Sequence, residues 1–390
     1  MTTQLLADRL VGLESSPTLA LAAKAKALAK TGKPVLDFTA GEPDFPTPEP
    51  IKQAAIKAIQ DNQTRYTPAA GIPELRAAIA TQLNHRLGTT YEPAQVLVSC
   101  GAKHSLYNTL QTVCQAGDEV LVFSPYWVSY PPLVQLAGAK TVLVETREAD
   151  RFQPDLQAVR EALTERTKVL ILNSPSNPTG MLIDRERLEG LARLALEHEL
   201  VIISDEIYDQ IVYPPHRACS IVQVEPRLRD RTIVVNGVSK SYSMTGWRIG
   251  YAAGPKTIIE PMIALQSHAT SNPASISQYA ALAAITGDQS EVGRMAKEFQ
   301  HRRDVLVNGL NQLPGLSCLM PEGAFYVWGN ISKLGESADA IAAKWLEEAL
   351  IAVVPGEGFG APTHVRFSSA ASLKSIEEAL SRLAQWLKKR

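Results

Sequence analysis

The strongest constraint in this chain is a series of short apolar runs that alternate with amphipathic stretches. The runs are VLVS (96–99), EVLVFS (119–124), TVLVE (141–145), KVLILN (168–173), LVIIS (200–204), TIVVN (232–236) and RIGYAA (248–253). Between them lie segments such as LRAAIATQLNHRL (75–87) and RERLEGLARLALEHE (185–199), whose apolar residues recur at helical spacing. Strands that are apolar throughout are covered on both faces, and strands separated by helices pair in parallel. The pattern predicts an α/β fold with a seven-stranded, mostly parallel sheet flanked by helices. Functional loops then gather at the carboxyl ends of the strands.

Near residue 285 the pattern changes. A helical stretch (290–313) leads into GAFYVWGN (323–330), a charged helix (337–350), VRFSSA (365–370) and a last helix (373–388). These predict a smaller α+β unit. A helix over about 18–31 and the strand VLDFT (35–39) find no partner nearby in sequence and are expected to join it. The expected division is a large domain over 46–285 and a discontinuous small domain from 1–45 and 286–390. A chain of 390 residues is long enough for both.

Charge excludes some functions. With 39 Lys and Arg against 40 Asp and Glu, the net charge of −1 provides no bulk attraction to nucleic acid or anionic membrane. No run of about 18 apolar residues predicts a transmembrane helix. The opening MTTQLLADRLVGLESSPT is interrupted by Asp8, Arg9 and Glu14 and does not read as a signal peptide. Cys100, Cys114, Cys219 and Cys318 show no ligand spacing, which predicts reduced thiols, no metal site and a cytoplasmic protein.

The strand exits carry the chemistry. After VLVS, Gly101-Ala102 opens a helix whose free N–H groups suit a phosphate. KVLILN runs into SPSNPTG, which holds Asn177; LVIIS runs into DEIY, with Asp205 and Tyr208; TIVVN runs into GVSK, with Lys240, and Arg248 follows. Singly these are ordinary: a solvated lysine, an aspartate cap, an Asn-Pro turn. Together, a phosphate seat, a carboxylate, a phenol, an amide, a lysine and an arginine are the groups that pyridoxal 5′-phosphate requires.

These motifs resemble the fold-type I, pyridoxal-phosphate-dependent aminotransferases. GAK (101–103), SPYWVSY (124–130), NSPSNPTG (173–180), SDEIY (204–208) and SKSYSMTGWRIGY (239–251) carry the resemblance. TAGEPDFPTP (39–48), RYTPAAGIPELR (65–76), PEGAFYVW (321–328) and HVRFSSA (364–370) extend it from about residue 15 to the C-terminus. The pattern is similar to aspartate aminotransferases of bacterial and plastid type.

The resemblance implies Lys240 as the amine that binds the cofactor aldehyde and carries the proton. Its pKa is expected to be lowered by Arg248 and the cationic ring. Asp205 matches the partner of the ring nitrogen. Tyr208 and Asn177 match the pair at the 3-oxygen, and Trp127 the plate on the ring. Gly101, Ala102, Lys103 and Arg248 fall at the phosphate end, joined by Tyr66 from a neighbouring subunit, which implies a homodimer. Arg366, Gly41 and Asn177 match the clamp on the substrate α-carboxylate. For a distal carboxylate the candidates are Lys103, Thr18 and Ser16, with no arginine evident.

Gly237 stands where the animal-type enzymes place a phosphate-binding serine. GEGFGA (356–361) lacks the spacing of a dinucleotide turn and reads as a mobile glycine loop near Arg366. The expected reaction is ping-pong amino transfer between aspartate or glutamate and 2-oxoglutarate or oxaloacetate. Alternatives are prephenate, aromatic or alanine aminotransferases of the same fold. A cofactor-binding protein without catalysis is the remote one.

Overall fold

The computed structural model describes residues 7–13 and 17–389. All seven apolar runs form strands of one sheet. In spatial order these are Val96–Ser99, Gly250–Ala253, Thr232–Gly237, Val201–Asp205, Thr167–Asn173, Glu119–Ser124 and Lys140–Glu145. Only Gly250–Ala253 runs antiparallel to its neighbours; the other pairings are parallel. The central strands are buried nearly throughout, as their unbroken apolar patterns require. One core packs on each face: Leu75, Ile79 and Leu83 of the helix Pro73–Leu87 on one side, Leu106 and Leu110 of Ala102–Val113 on the other.

A second, three-stranded antiparallel sheet is formed by Val354–Pro355, His364–Ser368 and Tyr326–Asn330. The last helix, Leu373–Lys388, buries Ile376, Ala379, Leu383 and Trp386, a helical stripe, in the core beside that sheet. Phe38 and Leu306 enter the same core. The strand expected at 35–39 shortens to Leu36–Asp37 and pairs in parallel with Ile351–Ala352. It ends there because the Asp37 carboxylate turns back to accept from the N–H and hydroxyl of Thr39.

Further segments differ from the sequence reading. GAFYVWGN becomes a strand only from Tyr326, since Ala324 takes φ +55° and donates its N–H to Ile211 instead. The charged helix stops at Lys344, continues as a π turn over Trp345–Ala349, and ends with Leu350 left-handed at φ +57°. GEGFGA forms a 3-10 turn over Gly356–Phe359, with Phe359 fully buried.

Among the described residues no helix is long and apolar enough to cross a membrane, and no His, Cys, Asp and Glu group could hold a metal ion.

Candidate active site

Strand register assembles the site. Asn173 pairs with Asp205, and Asp205 with Val235, so three adjacent strands end together. Their exits bring Asn177, Asp205, Tyr208 and Lys240 to one edge, and the small sheet contributes Arg366. The resulting cavity of about 550 Å³ is also lined by Gly41, Ala102, Lys103, Trp127 and Arg248. Ten of the residues singled out from sequence therefore share one cavity.

Asp205 lies at its base, 4 % exposed. One oxygen accepts from the Tyr130 hydroxyl at 2.7 Å and the other from the Ile207 N–H at 3.3 Å. Burial raises its pKa to about 6, against the lowering effect of those two donors and of Lys240. Among the described residues no cation forms an ion pair with it.

Lys240 donates from Nζ to the Gly41 carbonyl at 2.5 Å. Its pKa falls to about 8, chiefly through burial. Glu42 opposes the fall, and Arg248 and Arg366 add to it. The expected cause, Arg248, is thus a minor one beside desolvation. Glu42, whose carboxylate accepts from Thr245 at 2.8 Å, was not singled out from sequence.

At one end the helix Ala102–Val113 begins at Gly101 with no side chain capping it. Gly101 has φ +87°, and a Cβ there would collide with the Arg248 guanidinium, so the glycine is what lets arginine and helix terminus meet. Arg248 is itself left-handed and donates to the Thr245 and Cys100 carbonyls. Gly237 answers to packing: a Cβ would stand 2.9 Å from Gly250 Cα and from the Ile249 carbonyl. Where the sequence departs from the animal-type serine, the adjacent strand passes too close for a side chain.

At the other end Arg366, 2 % exposed, donates to Asn177 Oδ1 at 2.9 Å and to the Thr39 carbonyl at 3.0 Å. Its guanidinium lies 4.4 Å from the Tyr326 ring centroid and 5.2 Å from that of Phe359. Its Nε is buried without a partner. Tyr208 and Tyr326 join hydroxyls at 2.8 Å. Lys103 Nζ stands 4.9 Å over the Trp127 ring, and partial burial together with Arg248 lowers its pKa, although the residue still reaches water.

One named residue is not brought in, and two others fall outside the description. Tyr66 is 90 % exposed and does not line the cavity of its own chain. Ser16 and the side chain of Thr18 lie outside the described residues. Conversely, Tyr130 and Tyr326 stand inside recognised motifs without having been assigned any role. A tyrosine among apolar neighbours signals a hydroxyl in need of a partner, but not which one.

A mixed seven-stranded sheet with lysine, aspartate and arginines gathered at its carboxyl edge defines an enzyme of fold type I. The profile of the family "Aminotransferase class I and II" matches residues 33–383. An aspartate aminotransferase of Geobacillus stearothermophilus is 47% identical over 390 residues, covering 99% of both chains. An aspartate/prephenate aminotransferase of Thermus thermophilus is 44% identical over 98% of both. The solved aspartate aminotransferase from Thermus thermophilus with maleate superposes with a TM-score of 0.95 at 43% identity, covering 98% of this chain and 100% of that one. The chain belongs to the class I and II aminotransferases. It is a pyridoxal-phosphate-dependent aminotransferase, and its substrates are amino acids and 2-oxo acids.

Proposed function

We propose that the chain transfers the amino group between L-aspartate or glutamate and 2-oxoglutarate or oxaloacetate in a ping-pong cycle. The observation that carries this reading is the set of cations around Lys240. Arg248, Arg366 and Lys103 all line the cavity, and none makes an ion pair among the described residues. A cofactor phosphate, an α-carboxylate and a distal carboxylate would engage one each. The relatives named for aspartate, and the Thermus thermophilus structure solved with the dicarboxylate maleate, favour the same assignment.

The donor set fits pyridoxal 5′-phosphate. Asp205 is a buried carboxylate without an ion pair, suited to a cationic ring nitrogen. The uncapped helix terminus at Gly101-Ala102, with Arg248, suits the phosphate, and Tyr208 with Asn177 the ring oxygen. Trp127 would cover the ring face. When bound, the cofactor supplies an electron sink for negative charge at the substrate Cα.

The remaining chemistry is the chain's own. Arg366, which lines the cavity without an ion pair among the described residues, grips the α-carboxylate beside Asn177 and the Gly41 backbone. Its placement between Tyr326 and Phe359 fixes the guanidinium plane before substrate arrives. Lys240, neutral above about pH 8, accepts the Cα proton at Nζ and returns it. Lys103, at the Trp127 face, meets the distal carboxylate, with the Ser16 and Thr18 hydroxyls as further candidates.

Tyr66, exposed on its own chain, supports a homodimer in which it reaches the neighbour's phosphate end. We also assign a large domain to 46–285, a small domain to 1–45 with 286–390, and a cytoplasmic location.

Incubating the purified protein with aspartate and 2-oxoglutarate is expected to yield oxaloacetate and glutamate. Absence of turnover with every dicarboxylic donor overturns the specificity. Prephenate is a second reading, supported by the Thermus thermophilus relative named for it, since Lys103 would meet a second carboxylate of either acceptor. Comparing prephenate with oxaloacetate as acceptors separates the two.

A further inference from the structure

Tyr130 is the first residue of the helix Tyr130–Leu136, immediately after the loop that carries Trp127. It is 2 % exposed, and its ring meets the Trp127 ring edge-on, centroids 5.4 Å apart. Among the described residues its hydroxyl has one partner, Asp205 Oδ2, at 2.7 Å. Burial and the adjacent carboxylate push the phenol well above its usual pKa, so it is the donor in that bond. The opposite oxygen, Oδ1, receives only a long contact from the Ile207 N–H at 3.3 Å. Asp205, which lines the cavity, thus has one oxygen held by a strong donor and the other engaged only by a long contact.

We propose that Tyr130 is a positioning residue of the transamination site: its hydroxyl orients the Asp205 carboxylate, holds it ionised and leaves Oδ1 as the oxygen that meets a cationic ring nitrogen. The inference rests on the assignment of Asp205 made above. Few other groups share this duty. Glu206 disfavours ionisation of Asp205, Lys240 favours it more weakly than Tyr130 does, and Tyr208, whose own hydroxyl is engaged with Tyr326, gives it no hydrogen bond. Without the phenol, a desolvated carboxylate would keep one distant N–H donor. A hydrogen bond to a buried charge contributes about 1.5–3 kcal/mol, which corresponds to roughly tenfold to a hundredfold in an equilibrium constant.

Tyr130→Phe keeps the ring against Trp127 and removes only the hydroxyl. The test is a double-mutant cycle of Y130F and D205N in the full-length holoenzyme, with pyridoxal phosphate affinity read from absorbance after equilibrium dialysis. Y130F is expected to weaken binding about tenfold or more in the native background and less than threefold in the D205N background. The acid limb of binding, near pH 6 in the native protein, should also move to higher pH in Y130F, because the carboxylate loses its strongest donor. Equal losses in both backgrounds mean that the hydroxyl acts through packing, and they overturn the proposal. So does unchanged affinity in Y130F when D205N alone weakens binding. Unchanged affinity in D205N instead removes the assignment of Asp205 itself, and the role of Tyr130 falls with it.

Discussion

Asp205 and Glu206 are consecutive, both about 95 % buried, and burial raises the pKa of each. Yet they face different surroundings, because neighbouring residues at a strand end point to opposite sides. Asp205 turns into the main cavity with one hydroxyl and one distant N–H. Glu206 Oε1 accepts from Ser204 at 2.7 Å and from Ser220 at 2.5 Å, with the charge of Arg86 close by. Beside it Asp209 binds both Arg86 and Asn236, whose own carboxamide holds the Gly237 N–H ahead of Lys240. Each carboxylate accepts two hydrogen bonds, but Asp205 lines the cavity shared with Lys240, Arg248 and Arg366, whereas Glu206 does not. Burial and a shifted pKa therefore do not by themselves mark a working residue. The groups that share its cavity do.

The comparison can be broken at three depths. Lys240→Ala removes the amine on which the working side depends. Transamination should fall by roughly ten-thousand-fold or more, with loss of the bound-cofactor absorbance. Substantial residual turnover would mean that another group moves the proton.

Next comes the cost of burying Asp205. Its carboxyl pKa rises from 3.8 to about 6 in the folded chain. The stability contributed by the protonated form is complete below pH 3.8 and is lost as pH rises through 6. In the cofactor-free protein at pH 8, D205N should accordingly be the more stable by up to about 3 kcal/mol. The advantage should shrink on acidification below pH 6, as measured by denaturant unfolding. A D205N protein no more stable at pH 8 contradicts that account.

The smallest effect belongs to the structural side. Ser220→Ala removes one donor from Glu206 and should reduce stability by about 1–2 kcal/mol. Cofactor affinity should stay within twofold of native. A larger change in affinity would place Glu206 in the working network after all.

The sheet was legible in the sequence because its strands are built on apolar runs, four of whose exits carry a distinctive motif. Asp205, Lys240 and Arg366 were legible for the second reason. What escaped was long-range pairing. Tyr130 meets a partner 75 positions away and Tyr326 one 118 positions away, and no local pattern encodes either bond. The π turn at Trp345–Ala349 escaped differently: its composition continues the preceding helix, and the interruption is set by packing of Trp345 and Leu346. At Lys240 the sequence identified the charged neighbours but could not weigh them against desolvation, which depends on the whole cavity.

The two-residue pairing of Leu36–Asp37 with Ile351–Ala352 has a consequence for biosynthesis. Synthesis proceeds from the N-terminal side, so Leu36–Asp37 is made well before its partner Ile351–Ala352. Throughout that interval the short strand presents unpaired N–H and carbonyl groups, and Phe38 lacks the core that Leu306 and Phe367 later provide. The short strand thus waits for a partner made much later, and a nascent chain halted before residue 351 leaves that edge open.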